Sequence, residues 1–140
     1  MKTVREIMTS GAEFIDPSST VAEAAQKMAQ HDYGVMPICD GQGHLQGMLT
    51  DRDIVVKVIA AGKDPQQCQV SEFASGGEVV TIGADDTVED ALRTMMDHKV
   101  RRLPVIDGKD MVGMVSQGDI ATNYPEERVG DLVEAISAAP

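Results

Sequence analysis

Two short segments of the chain place a hydroxyl residue three positions before an aspartate at the start of an expected helix. They are Thr50-Asp51-Arg52-Asp53 and Ser116-Gln117-Gly118-Asp119, so the pattern T/S-x-x-D occurs twice. The first amides of a helix have no intrahelical partner and attract phosphate. The hydroxyl adds a hydrogen bond, and a carboxylate can accept from both hydroxyls of a ribose diol. The pattern therefore suits a ribose phosphate and makes the hydroxyl residues and aspartates candidate ligand-binding residues.

The same residues also have a simpler explanation. A Thr or Ser before a helix, with an acid three residues later, is typical of a capping box, in which the two side chains satisfy two backbone amides. Such caps are frequent at helix starts. From the T/S-x-x-D residues alone, helix capping and ligand binding both stay open.

The two segments lie at matching places of an internal repeat. Residues 20–41 align with residues 87–108 without a gap, and a weaker match sets residues 4–6 against residues 70–72. Similarity over this length predicts two copies of one structural unit. The predicted division is a first repeat at 1–62, a linker at 63–69, a second repeat at 70–124, and a tail at 125–140 that can form one more helix.

Each repeat has the pattern of a β-α-β-β-α unit. A short strand leads to a helix that begins at a Thr and an acid and has one apolar face, and a hairpin and the T/S-x-x-D helix follow. The predicted helix starts are Thr20 with Glu23 and Thr87 with Asp90. The predicted strands are Glu13–Ile15, Val35–Cys39 and Leu45–Thr50 in the first repeat, and Val79–Ile82, Leu103–Ile106 and Met111–Ser116 in the second. The predicted last helices are residues 51–61 and 117–123.

Composition excludes several classes of function. A net charge of −11 works against binding to nucleic acid or anionic membranes, because their phosphates repel such a field. Cys39 and Cys68 have no spacing typical of metal ligands, so no metal site is expected. No paired nucleophile and base, metal cluster or P-loop is visible, and we expect no enzyme. A charged N-terminus and the absence of a long apolar run predict a cytoplasmic protein with no membrane segment.

Each repeat has the order strand, turn, strand, T/S-x-x-D, helix, and this order is preceded by Pro, a hydrophobic residue, any residue and Asp-Gly. This pattern resembles the cystathionine-β-synthase (CBS) domain family. The residues that carry this resemblance are Gly34–Ile38 with Gly47–Ile54, and Val100–Val105 with Gly113–Ile120. The doubling resembles the paired form called a Bateman module, and the likeness spans residues 1 to about 123. The chain also resembles the free-standing bacterial pairs, such as the mycobacterial hypoxic response type, which carry no enzyme or transporter.

This resemblance implies an α/β (α+β) fold of two pseudo-symmetric β-α-β-β-α CBS repeats, packed through their sheets into one Bateman module. It implies clefts between the repeats that hold an adenosine-containing ligand, namely AMP, ADP, ATP or S-adenosylmethionine, with no required cofactor. Asp53 and Asp119 would hold the ribose, and Thr50 and Ser116 would contact ribose or phosphate. The other expected binding residues are Ile15, Tyr33, Gly34, Val35, Met36, Pro37 and Arg52 in the first repeat, and Thr81, Ile82, Val100, Arg101, Arg102, Leu103 and Pro104 in the second. A homodimer formed through the helices is implied as well.

Three arginines distinguish the two copies. Arg52 corresponds to Gly118, whereas Gly34-Val35 corresponds to Arg101-Arg102. These arginines are candidates for phosphate contact, because a guanidinium offers a planar fork of donors. The other interpretation is a solvated basic stretch at a helix C-terminus, where cations are favourable. If the arginines bind phosphate, the two sites have unequal affinities.

Three functions compete at this point. The leading hypothesis is a regulatory module in which an adenosine ligand shifts the packing of the repeats or the state of an oligomer. The second is a ligand-free protein–protein interaction module, in which T/S-x-x-D only caps helices. An enzyme is third, because no residues that would carry catalysis are visible. An unknown effector protein is compatible with the first two.

Overall fold

The computed structural model describes residues 2–11, 13–74, 79–123 and 126–138. The chain divides into two compact units, each with its own hydrophobic core. The first unit is Glu13–Val79, and the second unit combines Met1–Ala12 with Val80–Pro140. Helices and strands alternate in both, so the predicted mixed α/β class is confirmed.

Apart from the first helix and the first strand, which the sequence did not predict, the helices and strands follow one another in the predicted order. They are α1 (Val4–Ile7), β1 (Thr9–Ser10), α2 (Val21–His31), β2 (Val35–Cys39), β3 (Leu45–Thr50), α3 (Asp51–Asp53), β4 (Ile82–Gly83), α4 (Val88–His98), β5 (Arg102–Asp107), β6 (Asp110–Ser116), α5 (Gln117–Ala121) and α6 (Glu126–Ser137). The α3 helix continues as a π-helix over Ile54–Ile59, and a 3-10 helix covers Val70–Phe73. The predicted bounds of β2 and β3 are confirmed.

In the first unit, α2 packs its apolar face against an antiparallel hairpin of β2 and β3. Thr20 begins α2 by accepting a hydrogen bond from the Glu23 amide at 3.1 Å. Val21, Ala24 and Met28 are buried, as expected for residues at helical spacing. This packing fixes the position of the end of β3, where the T/S-x-x-D turn begins.

In the second unit, a four-stranded sheet has the order β1-β6-β5-β4, with only β4 and β5 parallel. The complete capping box of Thr87 and Asp90 begins α4, which buries its apolar face in this core. The predicted C-terminal helix is confirmed as α6, and its Leu132 and Ile136 pack into the same core.

The strands predicted before the first helix of each repeat are shorter than expected. In the first repeat a strand was predicted over Glu13–Ile15, but only Ile15 pairs, through a single bridge to Ile38. In the second repeat a strand was predicted over Val79–Ile82, and the observed strand is β4 (Ile82–Gly83). The Ile15 amide donates to the Pro37 carbonyl at 2.9 Å. The preceding bond of a parallel ladder would need an amide hydrogen on Pro37, and proline has none. Pro104 occupies the equivalent place on β5, so the same limit applies to β4.

The short segments that precede each repeat pack in an arrangement that the sequence did not predict. The α1 and β1 segment belongs to the second unit, where the Val4 amide donates to the Asp86 carbonyl at 2.8 Å. The 3-10 helix belongs to the first unit, where the Val70 amide donates to the Ser19 carbonyl at 2.8 Å. Each unit thus combines the body of one repeat with the leading segment of the other. The boundaries of the sequence repeats stay a prediction.

Candidate ligand-binding site

The first T/S-x-x-D turn forms a complete capping box in the first unit. The Asp53 amide donates to Thr50 Oγ1 at 3.0 Å, and the Thr50 amide donates to Asp53 Oδ2 at 3.0 Å. Both residues are half-buried. Helix capping is therefore confirmed here, but it uses only one oxygen of the carboxylate, which has about four lone-pair positions in total.

The second turn repeats this geometry in the second unit. The Asp119 amide donates to Ser116 Oγ at 3.2 Å, and the Ser116 amide donates to Asp119 Oδ2 at 2.8 Å. The hydroxyl and carboxylate have the same relation as in the first unit. Two equivalent polar turns are thus present, one in each unit.

A second hydrogen bond joins each turn to the start of its hairpin. The Asp51 amide donates to the Gly34 carbonyl at 3.0 Å, and the Gln117 amide donates to the Arg101 carbonyl at 2.8 Å. In the strand register, Thr50 lies opposite Val35 and Ser116 lies opposite Arg102. The hairpin therefore brings the predicted hydroxyl residues next to the residues predicted around the adenine.

Part of the predicted apolar lining belongs to the cores. The side chains of Met36 and Leu103 are fully buried, and those of Ile15 and Ile82 are nearly so. Such side chains pack within their own units and are covered by core residues. The remaining lining residues are Pro37 and Pro104, which are buried, Gly34, Val35 and Val100, which are half-buried, and Thr81, which is exposed.

Tyr33 is exposed at the start of the first hairpin and is part of a small cluster that sequence reasoning missed. The ring of Tyr33 stacks on His31 with centroids 5.3 Å apart and an angle of 17° between the planes. Glu13 Oε1 lies 3.7 Å from His31 Nε2. Asp32, which lies between the two residues in the chain, adopts a left-handed conformation with φ of 57°.

The charges at the two turns differ in a way that the sequence analysis also missed. Lys57 Nζ lies 3.2 Å from Asp53 Oδ1 in the first unit. The aligned residue in the second unit is Asn123, whose side-chain amide donates to the Asp119 backbone carbonyl at 2.8 Å. Extending the repeat alignment four residues past each aspartate would have revealed this difference. The predicted phosphate ligands Arg52, Arg101 and Arg102 are exposed.

The two cysteines are buried. Burial raises the pKa of the Cys39 thiol to about 11, and the nearby Asp40 carboxylate adds to the effect. Burial also raises the pKa of Cys68, whose Sγ donates to Glu72 Oε2 at 2.9 Å. The thiolate is the form that binds metals, so both side chains are poor ligands. Among residues 2–11, 13–74, 79–123 and 126–138, no group of three or more His, Cys, Asp or Glu side chains could hold a metal ion.

Within the part of the chain that the structure describes, no helix combines the length and the apolar character of a membrane span.

The sequence matches known proteins over nearly its whole length. The family model for the CBS domain matches twice, at residues 4–60 and 70–126. Hypoxic response protein 1 of Mycobacterium tuberculosis is 41% identical over 136 residues, covering 97% of this chain and 94% of the relative. The CBS domain-containing protein YhcV of Bacillus subtilis is 41% identical over 138 residues, covering 98% and 96%. The predicted resemblance to free-standing CBS pairs is confirmed.

Solved structures give the same result for the fold. The crystal structure of Hypoxic Response Protein I with two coordinated zinc ions matches with a TM-score of 0.81 at 41% identity, covering 89% of this chain and all of that one. The crystal structure of CBSX2 in complex with AMP matches with a TM-score of 0.74 at 23% identity, covering 87% and 95%. The second likeness concerns the fold alone.

Proposed function

Since this chain belongs to the CBS domain family and carries two CBS domains in tandem, we propose that it is a regulatory module that binds an adenosine-containing ligand at the T/S-x-x-D turns. The ligand class is AMP, ADP, ATP or S-adenosylmethionine. The observation that carries the proposal is the repeated arrangement in which a hydroxyl, a carboxylate and the start of a hairpin are held together by the same hydrogen bonds in each unit. No catalytic role is proposed.

In this proposal, each residue of the turn has a distinct task. Asp53 and Asp119 accept the ribose hydroxyls through the carboxylate oxygen that does not cap the helix. Thr50 and Ser116 contact ribose or phosphate, and the backbone at each hairpin start contacts the adenine. Because the exposed Arg52 belongs to the first copy and Arg101 and Arg102 to the second, we propose unequal affinities for the two sites.

Two relatives bear on the ligand. The AMP complex of CBSX2 supports a nucleotide as the class of ligand for this fold. Two zinc ions are coordinated in the crystal structure of Hypoxic Response Protein I. In the present chain the cysteines are buried, burial raises their pKa values, and the described residues form no metal-binding group. We therefore propose no zinc site within one chain.

Substitution of the aspartates by alanine tests the proposal. We expect Asp53→Ala and Asp119→Ala each to weaken calorimetric binding at one site by about tenfold or more, because each removes a charged acceptor worth about 1.5–3 kcal/mol. Each also removes a helix cap, at a cost of about 1 kcal/mol of stability. The matched control is Asp90→Ala, which breaks the complete capping box of α4 outside the proposed sites.

Asp90→Ala should cost similar stability and leave binding intact. Equal loss of binding in the control, or full binding in the double variant Asp53→Ala/Asp119→Ala, would contradict the proposal. Destabilisation of all three variants, with no ligand bound by the unmodified chain, would favour the alternative of a ligand-free interaction module. The exposed side chains of Val55, Val56 and Ile59 on the π-helix support that alternative.

The homodimer and the cytoplasmic location stay predictions. The same exposed apolar side chains on the π-helix support association of two copies, because burial of such surface is favourable. Light scattering of the purified chain at micromolar concentration gives its mass directly. A mass of one chain would contradict the dimer.

A further inference from the structure

The carboxylate of Asp53 is shared between a helix cap and a cation. Its Oδ2 accepts the Thr50 amide at 3.0 Å, and its Oδ1 lies 3.2 Å from Lys57 Nζ. The side chain of Asp53 is 21% exposed, whereas that of Lys57 is 64% exposed. The lysine can therefore move aside at little cost, since exposed ion pairs contribute about 0–1 kcal/mol.

The equivalent carboxylate in the second unit lacks such a cation. Asn123 stands at the position of Lys57, and it donates to the Asp119 backbone carbonyl while its Oδ1 accepts from Lys2 Nζ at 2.8 Å. Within the described part of the chain, Asp119 has no ion pair to Lys, Arg or His. The first carboxylate thus has a cation beside it, and among the described residues the second has none.

This difference changes which ligands each turn favours. A phosphate monoester carries about −1.5 to −2 charges at neutral pH, so an uncompensated carboxylate a few ångströms away repels it. A neutral nucleoside has no such charge and no such repulsion. The ribose of either ligand competes with Lys57 for Asp53 Oδ1, so this competition cancels when the two ligands are compared. The positive charge of Lys57 therefore favours the phosphorylated ligand over the neutral one.

We propose that Lys57 is a specificity-determining residue that makes the site of the first copy select a nucleoside phosphate over the neutral nucleoside. The inference rests on the proposed function, because it assumes that Asp53 holds the ribose. It adds that the first copy discriminates by phosphate charge through Lys57, and that the second copy has no residue for this task at the aligned position.

Adenosine and AMP are the probes for the test, because they differ only in the phosphate. Calorimetry is performed in an Asp119→Ala background, so that only the first site reports. Replacing Lys57 by Asn, the residue of the second copy, should lower the ratio of AMP affinity to adenosine affinity by about three- to tenfold, the size of one charge removed at about 6 Å in a solvated site. Lys57→Gln, which keeps most of the side-chain length, should give the same result.

The matched control is Arg93→Asn. Arg93 Nη1 lies 3.7 Å from Asp90 Oδ1, so it is a cation on the acid of another capping box, away from the proposed sites. This control should leave the affinity ratio unchanged. A second measurement is salt dependence, because the loss of AMP affinity between low and high salt should be smaller in Lys57→Asn than in the background protein.

An affinity ratio that is unchanged in both lysine variants, while AMP still binds, would overturn the role of Lys57 and leave the proposed function intact. Failure of the folded background protein to bind either probe would contradict the proposed function at the first site, and the inference with it. A fall in the ratio with Arg93→Asn as well would show a general charge effect and would also overturn the proposal.

Discussion

At the scale of single residues, Asp53 and Asp119 each cap a helix, and in the proposed function the same side chains also hold the ribose. One carboxylate oxygen of each accepts the amide of the preceding Thr50 or Ser116 and fixes the helix start. In the first unit, the other oxygen, Asp53 Oδ1, lies 3.2 Å from Lys57 Nζ. Loss of stability in an aspartate variant therefore does not by itself indicate a binding role, and binding must be measured separately.

The sequence was sufficient to predict the two capping boxes, because a hydroxyl residue followed three positions later by an acid is typical of that cap. The role of these four side chains in ribose recognition stays a prediction. The sequence was not sufficient for Lys57, since its role depends on a side chain reaching back one helical turn to Asp53. The stacked rings of His31 and Tyr33 were missed for a similar reason. Their contact depends on the left-handed backbone of Asp32 between them.

Cys39 gives a prediction at the residue scale about alkaline pH. The unfolded thiol loses its proton near its ordinary pKa of 9.0, whereas burial holds the folded pKa at about 11. Above pH 9 the unfolded chain therefore binds fewer protons than the folded chain, and the free energy of unfolding falls as the pH rises towards 11. Below pH 9 the thiol contributes no pH dependence.

Urea unfolding at pH 7, 9 and 10.5 checks this prediction by comparing the chain with Cys39→Val. The variant removes the ionisable group and keeps an apolar side chain of similar size, so its stability should fall less between pH 9 and 10.5. Cys68 remains in both proteins, and its own raised pKa cancels in the comparison. Parallel pH profiles would contradict the shift at Cys39.

At the scale of helices and strands, two glycines allow the leading segments to approach the hairpins. A Cβ on Gly47 would lie 2.8 Å from the Phe73 carbonyl oxygen, and one on Gly113 would lie 2.6 Å from the Thr9 carbonyl oxygen. Both distances are too short for real contacts. The two glycines are aligned in the sequence repeat, so both units use the same close approach.

We expect Gly47→Ala and Gly113→Ala each to lower the free energy of unfolding by about 1–3 kcal/mol, because the backbone of the leading segment must shift. Gly41→Ala is the matched control, since a Cβ there meets no atom within 4 Å. Its effect should stay within about 0.5 kcal/mol. Urea unfolding of the three variants decides, and equal stability of all three would contradict the close approach.

The hairpins and long helices were predictable because their patterns are local. Alternating apolar residues and Asp-Gly turns determine β2 and β3, and apolar spacing determines α2 and α4. The placement of the leading segments was not predictable. Strand β1 has two residues and pairs with β6 far along the chain, so no periodicity in the sequence encodes the pairing.

At the scale of the whole molecule, the chain has two CBS domains with equivalent T/S-x-x-D turns, and its net charge is −11. Such a charge opposes anionic ligands in general, so a bound nucleotide depends on local cations and hydrogen bonds. Lys57 belongs to one copy, and Arg101 and Arg102 belong to the other. We therefore expect the two copies to differ in affinity, although their folds are alike.

Thermal unfolding of the full chain with AMP, ADP, ATP or S-adenosylmethionine at millimolar concentration tests the central claim most directly. A ligand that binds only the native state stabilises it by about 2.7 kcal/mol at a concentration 100 times Kd. We predict that at least one of these ligands raises Tm by several degrees, and that the rise is largely lost in Asp53→Ala/Asp119→Ala. An unchanged Tm with all four ligands would contradict the account.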